Sequence, residues 1–371
     1  MMYQLALQLY QQKDWTNNMA YTTINKSTDY FNTKLYTGDG NSPRSITGIG
    51  FAPDFVWNKN RTDSNSNTLG DVVRGTGKSL LCDGNSSEFT NNSYGYHSSF
   101  DSDGFGMTGS AASAGGDNLN KSGSNYVAWN WKAGGGQGSS NTDGSINTTY
   151  TSANTTAGFS ISTYTGTGSN ATVGHGLGVA PELVIIKDRD NTVHWVVGST
   201  VMGWNKNMYL SLTSAQQTAN HFQDTAPTNS LMYLSTDAAV NGSGNDYIMY
   251  CFAEKSGYSK IGKYNSNNSS NGSFVYTGFK PKFIMIKNIN GVNDWRIYDS
   301  ERAGYNNKNY YLRPNGNGPE ITTDSGSNWD MLSNGFKFYT SEAGINDDGE
   351  YIYMAFGQTL VGSNNVPCTA R

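Results

Sequence analysis

Charged residues are scarce in this chain of 371 residues. Asp, Glu, Lys and Arg together make up 15% of it, whereas an ordinary globular protein has roughly 25%. The formal net charge of −4 is small and is spread along the chain. Because a nucleic-acid-binding surface needs clustered basic side chains to neutralise phosphates, we expect no nucleic-acid partner.

Cysteine is rare as well, and the chain contains Cys82, Cys251 and Cys368. Three cysteines do not make the disulfide framework on which small secreted domains depend. We therefore expect a protein that folds in a reducing cytoplasm. Cys251 lies in a predicted strand, where a small buried thiol is the expected role.

Long apolar runs and a leader signal are also missing. No run approaches the length of about 18 apolar residues that predicts a membrane-spanning helix, so we expect no membrane insertion. Residues 1–15 carry neither a basic stretch nor a convincing small-residue cleavage site. These residues are therefore not expected to form a secretory leader.

What the chain does contain is glycine and aromatic residues. Gly occurs 44 times and aromatic residues reach 13%, a share that a disordered chain would lack. Short aromatic or Val/Ile runs are separated by turns rich in Gly, Asn, Ser and Asp. This alternation is typical of an all-β sandwich or barrel.

One pattern occurs three times along the chain. Residues 51–56, 179–184 and 279–284 share the order apolar, any, Pro, charged, apolar, apolar. Strand-like blocks stand at matching positions around each of them, and a closing aromatic strand begins 73, 66 and 70 residues after the proline. Such blocks, in one order and at near-constant spacing, predict a triplicated β-module.

We predict an all-β chain with three tandem β-sandwich repeats of the jelly-roll or concanavalin-like type. Repeats two and three are joined by a short connection and should pack closely, whereas a flexible Gly/Ser linker should let repeat one swing. The predicted parts are an N-terminal arm at 1–19, repeat one at 20–133, the linker at 134–142, repeat two at 143–257, repeat three at 258–358 and a C-terminal tail at 359–371.

The repeated proline predicts how each unit begins its central strand. Proline lacks an N–H group, so it fits the first position or the edge of a strand. In units two and three the residues after it, 183–186 and 283–286, are continuous apolar runs that end at Lys187 and Lys287. Such runs predict strands that are buried on both faces or lie at a contact between units.

No catalytic motif stands out. Residues 75–79 resemble the end of a phosphate-binding loop, but Val72 stands where that motif needs Gly. The chain has neither a Gly-x-Ser-x-Gly elbow nor a histidine pair at metal-ligand spacing. We expect no catalytic residue and no cofactor. His175 lies in a glycine-rich turn and is expected to form local hydrogen bonds.

Two short acidic clusters are weak candidates for a calcium site. One contains Asp101 and Asp103, and the other contains Asp347 and Asp348. Spaced carboxylates with nearby carbonyls can supply the oxygen ligands that Ca²⁺ takes. Neither cluster follows the spacing of the known calcium loop, so hairpin turns are the favoured alternative and no metal is expected.

Aromatic side chains near loops are better functional candidates. Trp195, Trp204, Trp295 and Trp329 lie near turns rich in Asn and Asp. Aromatic rings can pack on the C–H faces of sugars while polar groups of the turns bind the hydroxyls. We predict these four residues as glycan contacts, and the alternative for each is a core or inter-sheet aromatic residue.

Residues 33–38, 51–57, 126–134 and 173–181 resemble a repeat family that is common in marine bacteriophage genomes. The resemblance covers about residues 20–358. Members of the family look like virion-associated proteins, chiefly tail-fibre-like or other surface structural proteins. The resemblance implies a location on the virion surface after synthesis in the host cytoplasm, and it carries no catalytic residues.

The lead hypothesis is a phage structural and adhesion protein that serves as a tail fibre, a tail component or a capsid decoration. Its expected partners are other virion proteins and a host-surface glycan, and a homo-oligomer is expected, with a trimer favoured by analogy to fibres. The alternatives are a free lectin and, less favoured, a polysaccharide-degrading enzyme with two close carboxylates in a cleft. The units differ most, and are expected to contact partners, at 61–70, 88–97, His175, 213–225 and 313–330.

Overall fold

The computed structural model describes residues 22–109, 118–302, 306–322, 326 and 328–361. The predicted N-terminal arm at 1–19 and most of the predicted tail lie outside the described residues. Nearly all regular structure is β, and the helical elements of the described part are a 3-10 turn at Ser27–Asp29 and a one-turn helix, α1, at Ala238–Asn241. The all-β sandwich class predicted from the sequence is confirmed.

Segment one, residues 22–133, forms a large sheet and a small sheet. The large sheet has the order β1-β9-β3-β4-β5-β6, and the small sheet has the order β2-β8-β7. The strands are β1 (Phe31–Thr37), β2 (Arg44–Thr47), β3 (Phe55–Asn60), β4 (Thr68–Asp71), β5 (Lys78–Leu81), β6 (Phe89–Thr90), β7 (Tyr96–Asp101), β8 (Gly104–Thr108) and β9 (Asn125–Trp131).

Segment two, residues 143–257, is built in the same way. Its large sheet has the order β10-β11-β18-β13-β14-β15-β16, and β12 pairs with β17 in the small sheet. The strands are β10 (Tyr150–Asn154), β11 (Phe159–Thr165), β12 (Ala171–Gly174), β13 (Leu183–Asp188), β14 (Val196–Ser199), β15 (Lys206–Tyr209), β16 (Gln217–Thr218), β17 (Leu231–Leu234) and β18 (Asp246–Phe252).

Segment three, residues 258–358, again has one sheet of each kind. The large sheet has the order β19-β25-β21-β22, and the small sheet has the order β20-β24-β23. The strands are β19 (Ser259–Asn265), β20 (Phe274–Tyr276), β21 (Lys280–Asn288), β22 (Arg296–Asp299), β23 (Trp329–Leu332), β24 (Gly335–Phe338) and β25 (Glu350–Gln358).

The same four-strand order occurs in all three large sheets. It reads β1-β9-β3-β4 in segment one, β11-β18-β13-β14 in segment two and β19-β25-β21-β22 in segment three, and every pairing is antiparallel. A stacked tyrosine pair marks the same register each time, with ring centroids 5.0, 5.1 and 5.1 Å apart. The number of tandem repeats is our interpretation, and this recurrence supports it.

Each segment has a core of its own between its two sheets. In segment two, Val184 and Ile186 of β13 pack with Met232 and Leu234 of β17. Equivalent clusters lie in segments one and three. Cys251 of β18 is a buried thiol in the core of segment two, as predicted.

The opposite faces of the three large sheets meet in one central core. Its aromatic residues come from all three segments: Phe55 lies 4.7 Å from Tyr250 between ring centroids, and Phe252 lies 6.1 Å from Phe356. The cluster is continuous and buried. The prediction that residues 183–186 and 283–286 are buried on both faces is therefore confirmed.

The contacts between segments run in one direction and close on themselves. The Trp195 indole of segment two donates to Leu81 O of segment one at 3.0 Å, and the Trp295 indole of segment three donates to Tyr209 O of segment two at 3.0 Å. Asn67 of segment one in turn donates to Gly316 O of segment three at 3.1 Å. A head-to-tail contact that closes produces a ring.

The two ends of the described chain meet in this ring. The Ser27 N–H donates to Gln358 Oε1 at 2.6 Å, and Gln358 Nε2 donates to Asn25 O at 3.3 Å. Ile24 is buried in the central core. The residues ahead of β1 are therefore joined directly to the end of β25 by hydrogen bonds and packing.

The prediction that residues 134–142 form a flexible linker is wrong. The N–H groups of Gly135 and Gly136 donate to the Asp54 carboxylate at 3.0 and 2.8 Å, and Ser139 pairs with Thr151. Both glycines have positive φ, which lets the backbone turn toward Asp54. Repeat one cannot swing, because its large sheet forms part of the central core.

Candidate ligand-binding face on segment three

The four tryptophans predicted as glycan contacts are all buried: Trp195, Trp204, Trp295 and Trp329. The indoles of Trp195 and Trp295 lie at the contacts between segments, and Trp204 and Trp329 lie in the cores of segments two and three. A buried ring offers no face to a sugar. The prediction is therefore wrong for these residues, and the alternative of a core or inter-sheet aromatic is correct.

The calcium candidates serve as turn acceptors. Asp103 accepts the N–H groups of Gly48 and Gly50 at 3.1 and 2.6 Å, and these bonds lower the pKa of its carboxyl. Asp101 accepts the Ser99 hydroxyl at 3.1 Å. No group of three or more His, Cys, Asp or Glu side chains that could hold a metal ion is found among the described residues.

In the second acidic cluster, the carboxylate of Asp347 accepts the N–H of Asp348 at 2.8 Å. The Asp347 N–H donates to the Tyr351 hydroxyl at 3.1 Å. This geometry is that of a turn ahead of β25. The hairpin alternative is therefore correct for Asp101 and Asp103, between the paired strands β7 and β8, whereas Asp347 and Asp348 lie in a turn between strands of different sheets.

His175 lies in its turn as a buried side chain with two local hydrogen bonds. Its Nδ1 accepts the Leu177 N–H at 3.2 Å, so Nε2 carries the proton and donates to Thr228 O at 3.1 Å. Burial lowers the pKa of this imidazole. The expected local role of His175 is confirmed.

Exposed aromatic rings occur on the small sheet of segment three. Phe274 is 48% exposed and Tyr276 is 59% exposed, whereas Val275 between them points into the core. The neighbouring strand β24 buries Phe336 and Phe338, and Tyr339 just beyond it is 41% exposed. We call Phe274, Tyr276 and Tyr339 the aromatic face.

The register explains why these rings point outward. Val275 lies opposite Phe336, and both side chains belong to the core. Successive side chains of a strand point to opposite faces of the sheet. Phe274 and Tyr276 must therefore point to solvent, and Lys337, opposite Phe274, points the same way.

A cleft adjoins the aromatic face. It has a volume of about 330 Å³, at the lower end of the roughly 300–1,000 Å³ that ligand pockets occupy. Its walls come from the connection between segments two and three and from the end of β20. The lining residues are Glu254, Ser256, Gly257, Ser259, Lys260, Tyr276 and Thr277.

Hydrogen bonds fix the charged wall of the cleft. Glu254 accepts the Ile261 N–H at 2.9 Å and the Lys260 ammonium at 3.0 Å. The Glu254 N–H donates to the carboxylate of Glu182, whose pKa is raised by burial. The charges of the Glu254 carboxylate and the Lys260 ammonium therefore balance each other at the edge of the cleft.

The floor of the cleft is equally well fixed. Gly257 has a φ of 74°, and a Cβ there would lie 3.0 Å from Thr359 Cβ and 3.1 Å from Thr22 Cβ. The Thr277 hydroxyl donates to Phe279 O at 2.6 Å. The Ser256 side chain, in contrast, is exposed, so its hydroxyl is accessible to a ligand.

The matching positions of the other segments are polar or small. Ile46 of β2 and Val173 of β12 occupy the place of Val275, because they pair with Phe105 and Met232 as Val275 pairs with Phe336. The residues beside them are the exposed Ser45 and Thr47 in segment one and the half-buried Thr172 and buried Gly174 in segment two. Only segment three carries aromatic rings at these positions.

The sequence gives a clear signal for only one strand of this face. Residues 335–338, Gly-Phe-Lys-Phe, alternate with period two, which predicts a strand with one solvent face. Residues 273–276, Ser-Phe-Val-Tyr, contain three apolar residues in succession and do not show which of them point to solvent. The residues predicted from the sequence as glycan contacts are tryptophans, and Phe274 and Tyr276 are not among them.

A family model for a domain of unknown function, DUF7483, matches residues 26–359. The chain belongs to this family. The matched span begins and ends beside the Ser27–Gln358 contact, so the family domain corresponds to the complete ring and not to one segment. No curated protein and no solved structure matches the chain. No helix in the described part is long and apolar enough to cross a membrane.

Proposed function

We propose that the protein is a structural and adhesion component of a bacteriophage particle, which displays the aromatic face toward a host-surface glycan. The observation that carries this proposal is the aromatic face of segment three, which stands on a closed ring of three segments. The resemblance of residues 33–38, 51–57, 126–134 and 173–181 to virion-associated repeats supports the location on a particle.

The ring is suited to holding a surface feature in a fixed orientation. The three large sheets share one buried aromatic core, and hydrogen bonds tie the first segment to the last. Segment three cannot move without disturbing both neighbours, because it contacts segment two through Trp295 and segment one through Gly316. A rigid scaffold with function on one face is a common use of β-structure.

The aromatic face takes the role that we had assigned to the buried tryptophans. Tyr276 offers an exposed ring beside a cleft lined by hydroxyl, carboxylate and ammonium groups. A ring for the apolar side of a sugar and polar groups for its hydroxyls are the two requirements of glycan binding.

The first test is the location of the protein. Mass spectrometry of purified particles is expected to find it at a constant ratio to the major capsid protein, and immunogold labelling of intact particles is expected to find it at the surface. Purified particles that lack the protein would refute the proposal.

The second test is adhesion. Labelled protein is expected to bind cells of the bacterial host, and the double variant Phe274→Ser/Tyr276→Thr, which installs the residues of segment one, should bind about ten-fold less. The matched control is Tyr94→Thr, since Tyr94 is an exposed aromatic residue of segment one (50% exposed). Equal binding by the double variant and the wild type would place adhesion elsewhere on the molecule.

Assembly with other virion proteins, and with further copies of the chain as a trimer, belongs to the same proposal. The contacts between segments are already used within one chain, so a trimer would have to form through other surfaces. Light scattering of the purified protein is expected to give three times the mass of the chain. A monomer at all accessible concentrations would contradict the trimer but not the adhesive role.

A further inference from the structure

We propose that the aromatic face and the adjoining cleft together bind an extended, uncharged oligosaccharide of at least two sugar units. This inference rests on the proposed adhesive function and names the ligand class of that site. Its three parts are the spacing of the exposed rings, the polar groups of the cleft and the balance of charge around them.

The exposed rings are arranged along a line. Phe274 and Tyr276 are two residues apart on the same side of β20, so their Cα atoms are about 6.6 Å apart. That spacing is comparable to the separation of successive rings in an extended glycan. One sugar can therefore pack on each aromatic ring. A disaccharide can contact both rings, whereas a monosaccharide can contact only one of them.

The cleft adjoins the Tyr276 end of this pair of rings. The Tyr276 ring forms one wall, and the exposed Ser256 hydroxyl lies in the opposite connection between segments. The side chains of Glu254 and Lys260 are partly exposed, at 28% and 40%. A carboxylate, an ammonium and a hydroxyl supply both acceptors and donors to sugar hydroxyls.

The charges around the site favour an uncharged ligand. Lys260 is paired with Glu254 at 3.0 Å. Lys337 donates to Asn271 Oδ1 and to Gly272 O, at 3.0 and 2.9 Å. These neutral acceptors leave the charge of Lys337 in place, but one such ammonium beside the Glu254–Lys260 pair does not form the clustered positive surface that a sulfated or carboxylated polysaccharide would require.

The experiment is a calorimetric titration of the full chain with defined oligosaccharides. The neutral series consists of gluco- and manno-oligosaccharides from one to six units, and the charged series consists of heparin oligosaccharides of matched length. We expect binding of a neutral series that strengthens from one unit to about three, because successive rings and the cleft are then filled. We also expect no loss of affinity at high salt, since screening affects only charged ligands.

Variants assign the binding to this site. Tyr276→Thr, which installs the residue of segment one, should weaken the neutral ligand about ten-fold. Tyr94→Thr should leave the affinity unchanged, and near-ultraviolet circular dichroism should show that both variants keep the native core. Loss of affinity in Tyr276→Thr with an unchanged spectrum would support the site.

Two results would overturn the inference. The first is binding of the heparin series in place of the neutral series, with an affinity that falls as salt rises. The second is neutral binding that Tyr276→Thr leaves intact. Either result can occur while the wild type still adheres to host cells and is found on particles, so failure of this inference is distinguishable from failure of the adhesive function.

Discussion

The junction between segments one and two and the junction between segments two and three share a backbone contact but differ in their side chains. In the first, the Glu88 N–H donates to Arg189 O at 2.7 Å. In the second, the Gln216 N–H donates to Ile289 O at 2.9 Å. The contact that aligns the segments is thus the same, whereas an ion pair at one junction is replaced by an amide and an alkyl side chain at the other.

The junction between segments one and two contains a buried ionic network. Arg74 Nε donates to Asp71 at 2.5 Å and Arg74 Nη1 to Glu88 at 3.1 Å, with the Arg74 and Asp71 side chains fully buried. Glu88 also accepts Arg189 Nη2 of segment two at 2.9 Å. The Tyr250 hydroxyl of segment two donates to Asp71 at 2.7 Å.

The junction between segments three and one repeats this network. Arg302 Nε donates to Asp299 at 2.6 Å and Arg302 Nη1 to Glu320 at 2.8 Å. Glu320 also accepts Arg61 Nη2 of segment one at 2.8 Å. The Trp129 indole of segment one donates to Asp299 at 2.9 Å, in the place of the Tyr250 hydroxyl.

The junction between segments two and three replaces the network with neutral residues. Ser199 ends β14 as Asp71 ends β4, and Met202 follows it as Arg74 follows Asp71. Met202 packs in the central core. The ring therefore forms with or without buried charge at this position.

The difference teaches that the charges select neighbours more than they hold the ring together. A buried ion pair contributes little net stability compared with apolar packing, but an unpaired buried charge is costly. Glu88 facing the neutral residues of a wrong neighbour would lose Arg189, and the two carboxylates Asp71 and Glu88 would then share the Arg74 guanidinium alone. We infer that the two networks prevent incorrect pairing of similar segments.

The largest expected effect comes from breaking one network. Asp71→Ser, which installs the residue of Ser199, removes the acceptor of Arg74 Nε and of the Tyr250 hydroxyl, and it leaves the network with one carboxylate, Glu88, for the two guanidiniums of Arg74 and Arg189. The expected loss in the free energy of unfolding is about 3–5 kcal/mol, measured by urea denaturation. Ser199→Ala at the matching position should cost less than about 1 kcal/mol. Equal losses in the two variants would show that the charge itself is unimportant.

A smaller effect is expected from removing the whole network. The variant Asp71→Ser/Arg74→Met/Glu88→Gln/Arg189→Ile copies the neutral junction into the charged one. Because no charge is left unpaired, its free energy of unfolding should equal that of the wild type or exceed it by up to about 4 kcal/mol. A loss as large as that of Asp71→Ser would contradict our account of the junctions.

The smallest effect concerns pH. Burial raises the pKa of Glu88, but the charges of Arg74 and Arg189 outweigh it and hold the pKa below its ordinary value of 4.5. Such a group stabilises the fold above its unfolded pKa, and the stability is lost as the pH falls through the folded pKa. The decline in unfolding free energy on acidification should be shallower in Glu88→Gln. If the unfolding free energies of Glu88→Gln and the wild type fell in parallel on acidification, Glu88 would not be the source of the pH dependence.

The strand positions were predictable because each depends on residues close in sequence. The proline blocks mark β3, β13 and β21, and the apolar runs after two of them were correctly interpreted as buried on both faces. The period of the apolar residues and the residue types that form turns can both be read from a short stretch of sequence. The closure of the ring was not predictable, because it joins Ser27 to Gln358 across nearly the whole chain.

The failure of the tryptophan prediction has a physical cause. Composition placed Trp195 and Trp295 near polar loops, but the fold packs a neighbouring segment over each indole. Whether a ring is exposed depends on the neighbouring segment, which sequence reasoning on one unit omits. The aromatic face was not predictable either, because Phe274, Val275 and Tyr276 are three consecutive apolar residues and only the structure shows that Val275 is the one in the core.

Lys187 and Lys287 show a further limit of the sequence. They end buried runs, where solvent contact is expected, yet Lys187 Nζ donates to Asn191 O and Lys287 Nζ to Gly291 O, both at 3.1 Å. Burial lowers the pKa of each ammonium to about 8. Lys59 of segment one likewise donates to a carbonyl of its own turn, Asn65 O, and also to Asn317 O of segment three. The turn that encloses each lysine could be located only in the structure.

The meeting of Ser27 and Gln358 makes the order of the segments along the chain interchangeable with respect to the ring. A circular permutant that joins these ends by a short linker, and is cut near Gln137 between segments one and two, retains every junction described above. Segment three would then lie in the middle of the polypeptide and not at its end. The aromatic face would thus keep its surroundings while the chain ends moved away from it. A carrier protein could then be fused to the new end in segment one or to the new end in segment two.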